Sequence, residues 1–292
     1  MDTTTQIIVS GLTLGAMYAI STVSLSLIWG ALNVLNMAQG ALLTFGGYVA
    51  YSTFTALGLP VPLAIIAAIL MGGLFGIAMY WIVIRQMLDR EGFEVNVIIA
   101  TVGIGTVLEA VLQKIFGAYP IRQPMTVEGG FFVGQTHIPY NNLIIILTSA
   151  ALMLILAALL ARTRMGRAIR AVSLNRDAAR LMGVPVQLVY AQVFALAGGL
   201  SAASGIMLST ITTLAPTMGY DPMLKAFIIC VVAGLGNVMG ALYAAFALGL
   251  FEASIQFALG VRFAFASMLL LVIIVLIWRP YGVFGRRRVT KL

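Results

Sequence analysis

Residues 162–186 read RTRMGRAIRAVSLNRDAARLMGVPV. Six arginines stand in this stretch of about 25 residues, whereas a plain connection between neighbouring helices needs only a few. The segment therefore carries structure of its own. Asn175 is a good N-cap, and Asp177 falls in the first turn, where a negative charge meets the positive end of the helix dipole. Gly183 suits the position after the last turn, and Pro185 forbids continuation. The spacing predicts a helix of about seven residues, too short to persist alone. Ala178 and Met182 share one face of it, and Arg176 and Arg180 share another. Such a helix must be held by the rest of the chain above it or by a partner below it.

Outward from this segment the chain turns apolar. Of 292 residues, 61% are hydrophobic and 9% charged, against about 25% charged in soluble domains. The mean hydropathy is +1.06. A water-soluble fold of this size could not hide so much apolar surface, which points to bilayer as the solvent. One Cys and one His leave no set of ligands for a structural zinc site and no internal disulfide. Cys230 lies in an apolar run and reads as a small buried residue.

The net charge is +8, and its placement excludes a nucleic-acid surface. Arg85 and Arg90 occupy one polar gap, and the six arginines of 162–186 occupy a second. Arg279, Arg286, Arg287, Arg288 and Lys291 occupy the tail, so 13 of the 17 basic residues lie in three short segments. This asymmetry places all three in the cytoplasm.

A bilayer-spanning helix needs roughly 20 mostly apolar residues. Runs of that kind lie near 7–29, 39–57, 62–84, 95–116, 142–161, 187–209, 222–238, 239–257 and 262–278. They are continuous rather than alternating, which argues against a β-barrel. The first follows Asp2 without a basic segment and is too long for a cleaved signal. Residues 117–141, with Pro120, Pro124, Gly129, Gly130 and Pro139, read as a compact extracytoplasmic loop in which His137 is solvated. Asn33, Asn36, Gln39 and Gly40 interrupt one pair of runs. Pro216, Gly219, Asp221, Pro222 and Gly234 to Gly240 interrupt another. Irregular backbone at membrane depth is tolerated only where protein buries it or it lines a wet cavity, so one or two re-entrant half-helices are expected. The fold class is thus all-α and polytopic, one domain over 1–292, with eight to ten spans.

Charged groups inside spans are costly and usually face the bundle interior. Glu109 and Glu252 each lie in mid-run, and two readings apply: they line a pathway, or they tie helices or subunits together. Lys114 snorkels toward the outer end. Asp221 and Lys225 are spaced i,i+4 and are expected to pair at the start of their segment. Gly72 and Gly76 have the small-xxx-small spacing of close helix contacts. Gly103 and Gly105 read as packing glycines, because no G-x-x-x-x-G-K-[ST] phosphate loop occurs.

MGRAIRAV (165–172) with NRDAARLMGV (175–184) resembles the cytoplasmic coupling segment of the branched-chain amino acid permeases of ABC importers, the LivH/LivM type. Three more segments carry the resemblance: GLTLGAMYAI (11–20) with WGALNVLNMAQGALLTFGGYVA (29–50), DPMLKAFIICVVAGLGNVMGALYAAFALGLFEA (221–253), and WRPYGVFGRR (278–287). They run in order over most of the chain and look closer to LivH. One departure is Gln39, where many members carry His, so no proton chemistry is assigned there.

The resemblance implies a type II-like ABC importer permease without an ATPase site of its own, in a prokaryotic inner membrane. A second homologous permease, two cytoplasmic ATPase subunits and an extracytoplasmic binding protein would be its partners, with membrane lipid around it. ATP and magnesium would be bound by the ATPases, and no cofactor by this chain. Asn175, Asp177, Ala178, Ala179, Met182 and Gly183 would form the ATPase-coupling helix. Asn33, Asn36, Gln39, Glu109 and Glu252 are the candidate pathway residues. The substrate would be a branched-chain amino acid or a related small polar solute, such as another amino acid, urea or a short amide. The alternative is an ion-coupled secondary transporter using Glu109 and Glu252, which would have no use for a capped helix in its longest cytoplasmic loop. A membrane-embedded enzyme lacks clustered His, Cys or Asp residues within any span.

Overall fold

The computed structural model describes residues 3–88, 90–127, 129–133 and 136–285. Asp2 and the tail residues Arg286, Arg287, Arg288 and Lys291 lie outside them. The chain is helical almost throughout: α1 (Thr3–Leu32), α2 (Gln39–Thr55), α3 (Val61–Met79), a π-helical turn (Tyr80–Ile84) leading into α4 (Arg85–Met87), and α5 (Phe93–Phe116). A hairpin follows, β1 (Gly130–Val133) and β2 (Thr136–Pro139). Then come α6 (Tyr140–Arg162), α7 (Arg164–Leu174), α8 (Arg176–Leu181), α9 (Val186–Ile211), α10 (Tyr220–Ala233), α11 (Val238–Leu259) and α12 (Val261–Trp278).

Each of the nine apolar runs forms a helix. Among the described residues seven are long and apolar enough to cross a membrane: α1, α3 continued to Met87, α5, α6, α9, α11 and α12. The remaining two, α2 and α10, have 17 and 14 residues. They are the helices that follow the two interrupted segments, so seven full spans and two short ones make up the count.

The two short helices start in the interior. The Met37 N–H donates to Thr101 Oγ1 at 3.1 Å, in the middle of α5, and Gln39 Nε2 donates to the Ser21 carbonyl at 2.9 Å, in the middle of α1. Residues 33–38 therefore run non-helically from the end of α1 to mid-depth, and α2 continues to the far end. The segment 212–219 does the same from the opposite end, and α10 completes that crossing. Where they meet, Gly40 and Gly219 touch backbone to backbone, and a methyl group on either would strike the other's carbonyl.

α1 is the central post, buried along most of its length from Gly11 onward, and α6, α9, α10 and α11 pack on it. The Ser149 hydroxyl donates to the Ala16 carbonyl at 2.8 Å, and that of Ser204 to the Met17 carbonyl at 3.2 Å. On the far side of α9, Gly72 and Gly76 lie against Gly198 and the Phe194 carbonyl, so the small-xxx-small spacing on α3 does serve a close contact. Leu43 of α2 packs directly on Gly205 of α9.

The loop expected at 117–141 contains the β1–β2 hairpin, registered Phe131 to Ile138 and Phe132 to His137. The Gly and Pro content predicts a compact loop here, and two four-residue strands stand within it. His137 is exposed, its ring edge-on to Phe132 at 5.1 Å.

The loop tip at Tyr119 and the helix α8 at Leu181 are both exposed, 86% and 88%, which makes them suitable probes of sidedness. In a Cys230→Ser background, a membrane-impermeant thiol reagent applied to intact cells is expected to label Tyr119→Cys and to leave Leu181→Cys unlabelled until the membrane is opened. The reverse pattern would overturn the arginine-based orientation.

Candidate functional site

Three features stand out in the bundle: the mid-depth junction of α2 and α10, an ion pair between α10 and α11, and the helix α8 at the arginine-rich end. At the junction, Asn36 Oδ1 accepts the Ala38 N–H at 3.0 Å, a local turn typical of Asn. Gln39 Nε2 also reaches the Ser24 hydroxyl, and Ser24 in turn meets Ser201 Oγ at 3.1 Å. The Gly219 N–H donates to Thr44 Oγ1 at 3.1 Å, so α2 supplies the cap for α10. Asn36 and Gln39, read from sequence as pathway candidates, are enclosed by the chain's own helices. Their bonds hold the non-helical backbone where no water can. Asn33 lies elsewhere. It ends α1 in the left-handed conformation, φ 57°, which Asn tolerates, and lines a cleft with Arg176, Tyr190 and Gly236.

Lys225 does not pair with Asp221. Its ammonium lies 2.6 Å from Glu252 Oε1 on α11 and donates to the Tyr18 hydroxyl on α1 at 3.0 Å. Gln256 Nε2 donates to the same carboxylate oxygen at 3.0 Å. The Glu252 side chain is 1% exposed and that of Lys225 19%. The reason is depth. Since α10 begins in the middle of the bundle, its second turn lies inside the bundle rather than near an outer end, and α11 comes within reach. Glu252 thus links α11 to α10 through Lys225. Tyr18 had no signal in the sequence beyond an aromatic residue in an apolar run. Asp221, in the first turn of α10, is exposed, and Glu109 is half-buried on α5. Both helices flank α2.

At the arginine-rich end the expected short helix is present as α8. Asn175 Oδ1 accepts the N–H groups of Asp177 and Ala178, each at 3.0 Å. Gly183 follows with φ 79°, and the Val184 N–H returns to the Ala179 carbonyl at 3.0 Å. Ala179 is buried and seats the helix on its own chain. Ala178 and Asp177 are exposed, as are Leu181 and Met182, the latter at 84%. A six-residue helix capped at both ends thus presents an apolar edge to its surroundings. Residues 182–185 alone join it to α9.

The chain matches the family model described as branched-chain amino acid transport system, permease component, over residues 7–278. It is 27% identical to the high-affinity branched-chain amino acid transport system permease protein BraD of Pseudomonas aeruginosa, over 98% of this chain and 97% of the relative. It is 26% identical to the corresponding LivH protein of Escherichia coli K12, over 97% and 96%. It is 25% identical to a probable branched-chain amino acid transport permease protein LivH of Methanocaldococcus jannaschii, over 89% and 86%.

Removing one partner of a buried ion pair strands the other charge, at about 3–5 kcal/mol. Lys225→Met and Glu252→Gln are each expected to lower the thermal stability of the purified protein markedly. The double variant should recover most of the loss. A double variant as unstable as the sum of the singles would show that the two side chains do not act as a pair.

Proposed function

The chain belongs to the family of branched-chain amino acid transport permease components, and we propose on that footing that it is the membrane subunit of an ATP-driven importer. It passes a branched-chain amino acid, or a related small polar solute, from an extracytoplasmic binding protein to the cytoplasm across a prokaryotic inner membrane. The whole chain acts as one permease domain. It works beside a second, homologous permease, and two ATPase subunits bind ATP and magnesium below it. The observation that carries this reading is α8, a helix held rigidly at both ends that offers Ala178, Leu181 and Met182 outward. Exposed apolar edges of this kind mark contact with another protein.

The mechanics follow from the contacts. A partner closing on α8 pushes a helix whose position is set by Asn175 and Ala179. The link through Gly183, Val184 and Pro185 is short, and proline stiffens it, so the push reaches α9. Along its length α9 is in backbone-close contact with α2 and α3, through Gly205 and Gly198. Motion of α9 therefore carries the half-helix α2, and with it the mid-depth junction. The solute path lies along the face where α5 and α10 flank α2. Asp221, exposed at the mid-depth start of α10, and half-buried Glu109 stand on these two flanking helices, and a carboxylate exposed at that depth is tolerated against water or a partner subunit rather than lipid. In the ion-coupled alternative, Glu252 would receive a cation, but Lys225 already provides one.

Two variants test the coupling role. Gly183→Val meets no steric obstacle but must adopt a positive φ, at a cost on the order of 1 kcal/mol or more. It is expected to reduce transport more than membrane insertion. Ala178→Arg places a long charge on the docking edge and is expected to weaken both ATPase co-purification and substrate-stimulated hydrolysis. If Ala178→Arg left both intact, α8 would be only a surface element between two spans.

A further inference from the structure

A second feature of the arginine-rich end lies beside α7, the helix that precedes α8. Between α6, the end of α1 and the start of α11 opens a cleft of about 690 Å³. Its lining is graded. Val23, Leu154 and Leu242 lie at the end toward the bilayer centre, while Arg170, Ser173 and Asn237 lie at the arginine-rich end. The gradient follows the helices: α1 enters the cleft at Val23 and leaves at Gly30, and α6 enters at Met153 and leaves at Ala161. Leu154 is largely exposed, so the apolar part is open on its bilayer side.

The mouth carries one cation among its lining residues, Arg170. Arg170 donates to the Leu160 carbonyl at the last turn of α6, which fixes its guanidinium over the cleft. Arg164 and Arg167 precede it at three-residue spacing on the exposed side of α7, whose inner side is Ile169 and Val172. No carboxylate is among the described residues that line the cleft. The chain continues from Gly285, on the rim, as RRRVTKL. That segment has the same sign as the mouth and so is a poor occupant of it.

From this arrangement we infer that the cleft binds one anionic phospholipid of the cytoplasmic leaflet. The acyl chain lies along Val23, Leu154 and Leu242, and the phosphate is held by Arg170 with Ser173 and Asn237. The occupant needs both properties at once, an apolar tail and a negative head, at the depth where a leaflet supplies them. Basic pockets between membrane helices on the cytoplasmic side recognise such headgroups, at ~1 kcal/mol for each basic residue near the surface. A basic amphipathic helix such as α7 lies naturally at the same level.

The test uses the full chain with its partner subunits, stripped of lipid in mild detergent. The protein is then equilibrated with vesicles of phosphatidylcholine alone or of phosphatidylcholine and phosphatidylglycerol in equal parts. Native mass spectrometry counts retained lipid per chain. The expected result is one phosphatidylglycerol retained in preference to phosphatidylcholine. Arg170→Gln should lower that retention about fivefold, the equivalent of ~1 kcal/mol. Ser173→Asp, which sets a negative charge at the mouth without removing Arg170, should lower it as well. Leu242→Trp, which fills the apolar part, should lower it without altering charge. Arg90→Gln, in a different polar segment, should leave it unchanged. Equal retention of the neutral lipid would overturn the assignment. So would wild-type retention by folded Arg170→Gln and Ser173→Asp, or an equal loss in Arg90→Gln, which would reveal only general attraction to the leaflet.

Discussion

Two helices begin in the middle of this bundle, and their first N–H groups must find partners where water and lipid offer none. Several bonds near mid-depth answer that constraint. Thr44 of one half-helix caps the other, Asn36 turns back on the N–H of Ala38, and Gln39 and Thr101 bind the segment 33–38 to α1 and α5. Gly40 and Gly219 let the two starts touch. The Lys225–Glu252 pair then fastens α10 to α11, with Tyr18 of α1 completing the contact. A bare ammonium in a low-dielectric interior would cost far more than this pairing leaves uncompensated. The pair makes it possible for α10 to be short and still be held.

The polar inventory of the chain is thereby divided by depth. In the interior, Asn36, Thr44 and Thr101 bond the irregular backbone, while Gln39, Ser149, Ser204 and one ion pair tie helices together. At the arginine-rich end, charge is spread over α7 and α8 and remains available to partners and to the leaflet. In the proposed coupling, α9 is the helix that would carry motion inward, because both α2 and α3 rest on it without intervening side chains at Gly205 and Gly198.

The architecture was largely legible in the sequence, because hydrophobic runs and arginine placement act over twenty residues at a time. All nine runs became helices, and the two interrupted ones became the two short helices. The α8 caps were legible too, since Asn175, Gly183 and Pro185 act locally. The partner of Lys225 was not. An i,i+4 spacing suggested Asp221, whereas the true partner lies 27 residues on. It is reached only because α10 starts at mid-depth, which no local pattern encodes. Asn36 and Gln39 were visible as polar residues in an apolar setting, but polarity alone does not separate a group that lines a path from one that satisfies backbone. The β1–β2 hairpin escaped for another reason. Strands of four residues among Gly and Pro carry too few alternations to register.

The energy source of uptake separates an ATP-driven permease from an ion-coupled one most directly. The chain, its partner permease, the ATPases and the binding protein are reconstituted in liposomes, and entry of radiolabelled leucine, isoleucine and valine is measured. Entry is expected to require ATP on the ATPase side and the binding protein on the other, and to persist when ionophores abolish every ion gradient. Entry through the chain alone, driven by an ion gradient without ATP, would contradict the ATP-driven reading.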